Sequence, residues 1–287
     1  MNWPLALTTV TAPWLALAEL APRCAAAGLA GLELVVRDQA FDPGRPYDCW
    51  SNNAALLPRV GLTAAAQAAA ALLQTHGLRC PVLSSYALPS DHSDARTLAG
   101  AAVILGARQV RMWGPTPRPG QIRSQLEEAR SAWRELARIA ADTPVRFVLE
   151  LHNDSLAGSA SAALRLLEHL DPTCVGVILD IANTASVGNE PLALAVELLG
   201  PYLAHVHVKD VAVAAGPAWN GQQCDIVALG QGSMRWPECL RILRQAGYQG
   251  WLSLENFTGI EQGPARIATD TAWLRSMISE SEHASHT

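Results

Sequence analysis

Lysine is almost absent from this chain of 287 residues, which has 21 basic residues but a single lysine, Lys209. The chain uses arginine wherever a solvated positive charge is enough. A lysine ammonium group is compact and its pKa can be adjusted, so the single lysine favours a specific role for Lys209. The basic residues form no run and the net charge is −5. Because a nucleic-acid-binding face needs clustered lysine and arginine, the composition argues against nucleic acid as a partner.

Long apolar runs and paired cysteines are also missing. No apolar stretch reaches the roughly 20 residues that a membrane-spanning helix needs. The apolar N-terminus has no positively charged start and is broken by prolines, so it makes a poor signal peptide. No CxxC pair occurs, and the irregular cysteine spacing indicates free thiols in a reducing compartment. We therefore expect a soluble cytoplasmic protein without a membrane partner.

Short apolar runs alternate with helical patterns along the whole chain, which is typical of a parallel sheet covered by helices. Eight runs read as strands: Leu5–Thr8, Gly31–Val36, Arg79–Ser84, Gln109–Trp113, Arg146–Leu151, Val175–Asp180, Ala204–Val208 and Trp251–Glu255.

Eight strand–helix units in a chain of this length predict an α/β fold, a single (β/α)8 TIM barrel over residues 1–287. A doubly wound open sheet is the main alternative, but Leu5–Ala12 lacks the glycine-rich turn that such a fold carries after its first strand. Residues Ala284–Thr287 are expected to form a frayed tail. Asp38–Arg59 and Val211–Leu229 follow strands, so both should lie at the C-terminal face, where barrel enzymes keep their sites.

Polar side chains end four consecutive strands, the fifth to the eighth. They are Glu150, Asp180, His207 and Glu255. Neighbouring strands of a closed barrel would bring these groups around one point. Their alternation agrees with this, because each ends the mixed polar and apolar face of its strand, which should line the barrel interior.

Three carboxylates in a dry site cannot all stay ionised without a cation or protons. Three carboxylates with one imidazole suit a divalent ion that prefers oxygen, so we expect one Mn²⁺, with Mg²⁺, Co²⁺ or Zn²⁺ as alternatives. Taken singly, each carboxylate could be a helix N-cap or a solvated turn residue, and the histidine a hydrogen-bonded core residue. Their occurrence together on four successive strands favours a metal site.

The chain resembles the xylose-isomerase-like TIM-barrel superfamily, the sugar-phosphate isomerase/epimerase group. The resemblance covers nearly the whole sequence and is strongest over Val145–Phe257. The motifs that carry it are GLAGLEL (28–34), LELHN (149–153), LDIAN (179–183), HVHVKD (205–210) and the segment from Leu229 to Asn256.

The resemblance implies the same ligands, because the family holds its metal with Glu, Asp, His and Glu from four successive strands. It also implies that His205 lies one layer deeper than His207. The chain departs from the family pattern at two places. Asn183 stands where many members of the family have histidine. Val208-Lys209-Asp210 replaces the Gly-Glu that follows the histidine pair of the ketose 3-epimerases, which argues against the tagatose-type subgroup.

The chemistry that these residues could perform is proton transfer next to a carbonyl. The ion would act as a Lewis acid and stabilise an enediolate, with Glu150 and Glu255 as acid and base on opposite sides. This predicts an isomerase or epimerase of carbohydrate metabolism that acts on a sugar, sugar phosphate or keto-sugar. A lyase on a keto-sugar, a dehydratase or β-eliminating enzyme, is the first alternative. A non-catalytic carbohydrate-binding or assembly subunit is the second.

Lys209 shares the face of His207, so it should reach the rim of the pocket. There it could bind an oxyanion, donate a proton to a leaving hydroxyl or pair with a neighbouring carboxylate. His152 is a candidate substrate contact or a second acid/base, with a hydrogen bond to Asp180 as its structural alternative.

Three further residues are candidate substrate contacts. Glu33 could bind a sugar hydroxyl, or it could form an ion pair with Arg37. Trp113 could stack on a sugar face, or it could pack as a cover over the barrel mouth. Asn183 would orient a ligand or a hydroxyl. The expected partners are a small carbohydrate and further copies of this chain, as a homodimer or homotetramer.

Overall fold

A closed barrel of eight parallel strands forms the centre of the molecule, in a computed structural model that describes residues 3–39, 41–187, 190–214 and 224–283. The expected tail Ala284–Thr287, and residues 215–223 of the segment Val211–Leu229, lie outside the described residues. The barrel strands are β1 (Leu5–Thr8), β2 (Gly31–Val35), β3 (Val82–Ser84), β4 (Gln109–Met112), β5 (Arg146–Glu150), β6 (Val175–Asp180), β7 (Leu203–Val208) and β10 (Leu252–Leu254). Strand β10 pairs with β1 and closes the barrel, which confirms the predicted TIM-barrel fold.

Helices follow the strands and cover the outside of the barrel. They are α1 (Leu17–Ala26), α2 (Leu62–Thr75), α3 (His92–Leu105), α4 (Ile122–Ala141), α5 (Ala160–Leu167), α6 (Ile181–Val187), α7 (Leu192–Leu199), α8 (Trp236–Gln245) and α9 (Arg266–His283). In α4 the apolar stripe faces the barrel and buries Ala129, Trp133 and Leu136. None of the described helices is both long and apolar enough to cross a membrane.

The barrel interior has an apolar layer below a polar one. Val82, Val148, Ile178 and Ala204 form a small buried cluster that is separate from the main core between strands and helices. The pairing of β6 with β7 shifts register after Val177, so that Val177 pairs with Leu203 and Ile178 pairs with His205. With this register Asp180 stands directly beside His207.

A two-stranded antiparallel hairpin extends the barrel at the end of β7. Its strands are β8 (Asp210–Val213) and β9 (Cys224–Val227). The Asp210 carboxylate is buried at the base of the hairpin and accepts four backbone hydrogen bonds. The donors are the N–H groups of Val211 (2.9 Å), Gly230 (2.9 Å), Gly232 (3.2 Å) and Met234 (3.2 Å). The last residue of the HVHVKD motif is therefore a structural anchor.

Replacing this anchor should destabilise the fold. Asp210→Ala leaves four backbone donors without their acceptor, and we expect the free energy of unfolding to fall by about 2 kcal/mol. The measurement is urea unfolding. Asp225→Ala, which removes an exposed carboxylate from the same hairpin, is the matched control and should change the free energy by less than about 0.5 kcal/mol. Equal stabilities of the two variants would contradict the anchoring role.

Candidate metal centre

Four side chains from four adjacent strand ends converge at the C-terminal end of the barrel. One donor atom from each of Glu150, Asp180, His207 and Glu255 lies within 4.8 Å of the others, and all four residues are buried. The strands that end at these four residues, β10, β7, β6 and β5, are neighbours in the barrel. The structure thus brings together the four ligands expected from the sequence. Their role as ligands stays a prediction.

The atom Nδ1 of His207 points into the middle of this group. It lies 3.4 Å from Oε1 of Glu150 and 3.5 Å from Oε2 of Glu255. Neither contact reaches hydrogen-bond geometry, so Nδ1 is a buried polar atom without a hydrogen-bond partner among the described residues. Ligand atoms that share a divalent ion at about 2.1 Å are separated from one another by about 3 Å. The spacing around Nδ1 therefore fits an ion that is held between these side chains.

Two permanent cations border the group. Arg111 Nη1 donates a hydrogen bond to Glu150 Oε2 at 2.6 Å, and its guanidinium packs against the rings of Tyr86 and Trp113. Lys209 Nζ lies 2.5 Å from Asp180 Oδ2 and 3.2 Å from Glu255 Oε2. Lys209 is thus deeper than the rim position expected for it, and it pairs with two of the candidate ligands.

The charges in this buried group do not balance among the side chains alone. Four carboxylates, those of Glu33, Glu150, Asp180 and Glu255, face the two cations of Arg111 and Lys209. Two excess negative charges remain if the histidines are neutral. A single divalent ion would neutralise them, which is a further reason why the donor set fits a metal with charge +2.

The excess negative charge also governs the proton affinities. Burial alone would lower the pKa of His207, but Glu33, Glu255 and Glu150 together raise it well above its usual value. Burial raises the pKa of Glu255 to about 7 against the opposing effects of His207 and Lys209. Burial acts in the same direction on Glu150, yet Arg111 and then His207 hold the pKa of that carboxyl well below its usual value. The two candidate acid/base residues therefore have environments that separate their pKa values, a pattern found in acid/base pairs.

A cavity of about 400 Å³ opens above the four side chains. Glu150 and Glu255 form part of its floor, as does Lys209. Its walls come from the loops after the strands and include Trp50, Tyr86, Trp113, His152, Asn183 and Phe257. Trp50, from the loop after β2, stacks on Phe257 with ring centroids 4.8 Å apart. The cavity can therefore offer a ligand both charged groups and aromatic faces.

The remaining predicted contacts occupy different positions. The ring of His152 lies 4.8 Å from that of Trp113, and His152 Nδ1 accepts a hydrogen bond from the Asp154 N–H instead of contacting Asp180. Asn183 donates its N–H to Asp180 Oδ1 at 2.9 Å, and its side-chain amide approaches Glu150 Oε1 at 3.5 Å. Asn183 therefore orients two of the candidate ligands.

Glu33 lies below the four side chains and not in the cavity wall. It is fully buried, and its partners are Ser84, His205 and His207, not Arg37. A contact with a sugar hydroxyl, as expected from the sequence, therefore does not fit its place in the structure. Its carboxylate faces the barrel axis from β2, and the histidines of β7 reach across to it.

The site residues predicted from the sequence do not include Arg111, Trp50, Tyr86 or Phe257, although Trp50 lies in the segment Asp38–Arg59 that is expected at the C-terminal face. A signal for Arg111 was present, because Arg111 alternates with apolar residues in β4 and shares its side of the strand with Gln109 and with Trp113, which directly follows β4. The three aromatic residues stand in loops, where no periodicity identifies the direction of a side chain.

The chain belongs to the xylose isomerase-like TIM-barrel family, whose model matches residues 21–277. Among curated proteins, an inosose dehydratase from Bacillus anthracis is 23% identical over 150 residues, which are 49% of this chain and 49% of that protein. The chain thus spans about half the length of the curated relatives it matches.

Solved structures share the architecture over nearly the full chain. The apo form of a 3-keto-D-glucoside 4-epimerase from E. coli superposes with a TM-score of 0.72 at 16% identity, covering 96% of this chain and 100% of that one. The IOLI protein with a bound zinc atom superposes with a TM-score of 0.75 at 15% identity, covering 96% and 98%. At these identities the similarity shows the fold alone.

Proposed function

We propose that this protein is a divalent-metal-dependent enzyme that moves a proton on the carbon next to the carbonyl of a sugar or keto-sugar, as an isomerase or epimerase. One observation carries the proposal. Three carboxylates surround one point together with Nδ1 of His207, which has no hydrogen-bond partner among the described residues, and a cavity large enough for a sugar opens onto Glu150 and Glu255 of this group. The proteins named above include a 3-keto-D-glucoside 4-epimerase and an inosose dehydratase, and we extend a substrate of this kind to the present chain as part of the proposal.

The metal would be held by Glu150, Asp180, His207 and Glu255, and when bound it would supply Lewis-acid polarisation of a carbonyl oxygen. We expect Mn²⁺, with Mg²⁺, Co²⁺ or Zn²⁺ as alternatives. The structure of the IOLI protein contains a bound zinc atom. The arrangement of the donors by itself is compatible with each of them.

Glu255 is the better placed of the two acid/base residues. Its contacts with Lys209 and His207 both use Oε2. Both oxygens of Glu150 have contacts instead, Oε2 with Arg111 and Oε1 with His207 and Asn183. We therefore assign proton removal to Glu255, and to Glu150 the delivery of a different proton, taken up from solvent, to the opposite face of the carbon. Lys209 and His152 would bind the substrate oxygens, and Trp113 would pack against the sugar ring.

A lyase is the second candidate, because the matched curated relative is a dehydratase and because Lys209 stands beside Glu255. After Glu255 removes the proton, Lys209 could donate one to a departing β-hydroxyl, which leaves as water. The lyase would use the same metal site and the same residues as the epimerase, so only the product distinguishes the two reactions.

The test is incubation of the Mn²⁺-loaded protein with a panel of keto-sugars in D₂O, followed by ¹H NMR and mass spectrometry. Deuterium incorporation at the carbon next to the carbonyl, with an otherwise unchanged mass, would support the isomerase or epimerase. Loss of one water would support the lyase. A protein that binds these sugars and exchanges no proton in any of them would overturn the enzymatic proposal in favour of a binding subunit.

A further inference from the structure

A buried carboxylate, Glu33, lies beneath the candidate metal centre. Its oxygens lie 3.1 Å and 3.2 Å from Nε2 of His207. The ring of His207 thus has one nitrogen against Glu33 and the other among the candidate ligands. Both Glu33 and His207 are fully buried, so water does not compete for these contacts.

Donors approach Glu33 from several strands, so its orientation is well determined. The Ser84 hydroxyl donates to Oε1 at 2.6 Å, and the Thr8 hydroxyl reaches Oε2 at 3.5 Å. His205 Nε2 lies 3.2 Å from Oε2 and 2.8 Å from the Ser253 hydroxyl. A carboxylate surrounded by such donors accepts hydrogen bonds, and from His207 it can accept only a proton carried on Nε2.

A neutral imidazole with its proton on Nε2 has its lone pair on Nδ1, the atom that faces Glu150 and Glu255. Histidines that bind metals commonly donate their other N–H to a carboxylate, which fixes both the tautomer and the ring orientation. We infer that Glu33 is a positioning residue that keeps the His207 proton on Nε2 and presents Nδ1 to the ion. This inference rests on the metal centre proposed above.

The role can be tested through metal affinity, without reference to turnover. Glu33→Gln keeps the size of the side chain but replaces one acceptor oxygen with an NH₂ group, which cannot accept from His207 or His205. We expect the dissociation constant for Mn²⁺, measured by calorimetry on the metal-free protein, to rise 10- to 100-fold. Ser253→Ala is the matched control, since it removes a hydroxyl partner of His205 in the same buried layer and leaves Glu33 against His207. It should change the dissociation constant by less than about threefold.

The outcomes distinguish failure of the proposed metal centre from failure of the role assigned to Glu33. A wild-type protein that binds no Mn²⁺ would overturn the metal centre and this inference together. Binding that is tight in the wild type and equally tight in Glu33→Gln would overturn the role of Glu33 and leave the metal centre standing. Thermal unfolding of the metal-free variants shows whether each of them is folded.

A spectroscopic measurement needs no substitution and therefore remains decisive if the variant does not fold. In wild-type protein with ¹⁵N-labelled histidine and bound Zn²⁺, the His207 resonances should show a proton on Nε2 and a metal on Nδ1. A proton on Nδ1 of the folded, zinc-loaded protein would overturn the inference.

Discussion

Glu255→Gln is expected to lower the rate of deuterium exchange into the substrate by about 10³-fold, because the amide cannot accept the proton that the carboxylate removes. The measurement is the initial rate of exchange by ¹H NMR at saturating Mn²⁺, with the metal content checked in the same sample. Glu261→Gln, an exposed position a few residues further along the chain, is the matched control and should keep the wild-type rate. A Glu255→Gln protein that exchanges at the wild-type rate would remove Glu255 from the chemistry.

The corresponding change at Glu150 should also abolish turnover, and it should in addition destabilise the protein. Glu150→Gln removes a candidate ligand and leaves the buried guanidinium of Arg111 without its carboxylate partner. We therefore expect a loss of stability in addition to the loss of activity, whereas Glu255→Gln should affect stability less. Full activity of Glu150→Gln would contradict its assigned role.

Removal and addition of the metal should change both the exchange activity and the stability of the protein. Treatment with a chelator should bring exchange below detection, and added Mn²⁺ should restore it. At an Mn²⁺ concentration about 100 times the dissociation constant, binding should add about 2.7 kcal/mol to the free energy of unfolding. For a chain of this size that corresponds to an increase in unfolding temperature of roughly 4 to 5 °C. The physical reason is the excess of buried carboxylates over cations around His207.

Two variants test whether the Mn²⁺-dependent stabilisation comes from the candidate metal centre. Asp180→Asn removes one candidate ligand and should abolish most of the Mn²⁺-dependent shift. Asp142→Asn, at the exposed end of α4, should keep it. If Mn²⁺ raised the unfolding temperature of Asp180→Asn as much as that of the wild type, the ion would be bound elsewhere.

Much of the fold could be predicted because buried parallel strands have a simple signature. Seven of the eight predicted strands agree with the observed ones to within about two residues. The third begins at Val82 and not at Arg79, because Pro81 has no N–H to donate to the sheet. The hairpin of β8 and β9 was not predicted, since its short strands are half exposed and its segment resembles a polar insertion.

The four candidate ligands could be located for the same reason. Alternation along a strand identifies the side chains that face the barrel interior, and strand order identifies which of them are neighbours. Neither the alternation nor the strand order gives the distances between side chains across the barrel. Sequence reasoning consequently placed Glu33 among the sugar contacts, although the structure sets it against His207 from the opposite side of the barrel. It also overlooked Arg111, because its significance appears only when its guanidinium meets Glu150 on the next strand.

A crystal structure of the protein grown with Mn²⁺, with data collected to reveal the anomalous scattering of manganese, tests the metal centre directly. We expect one strong peak within coordination distance of Glu150, Asp180, Glu255 and Nδ1 of His207. A map in which manganese is absent from this position, while Lys209 stays between Asp180 and Glu255, would contradict this expectation.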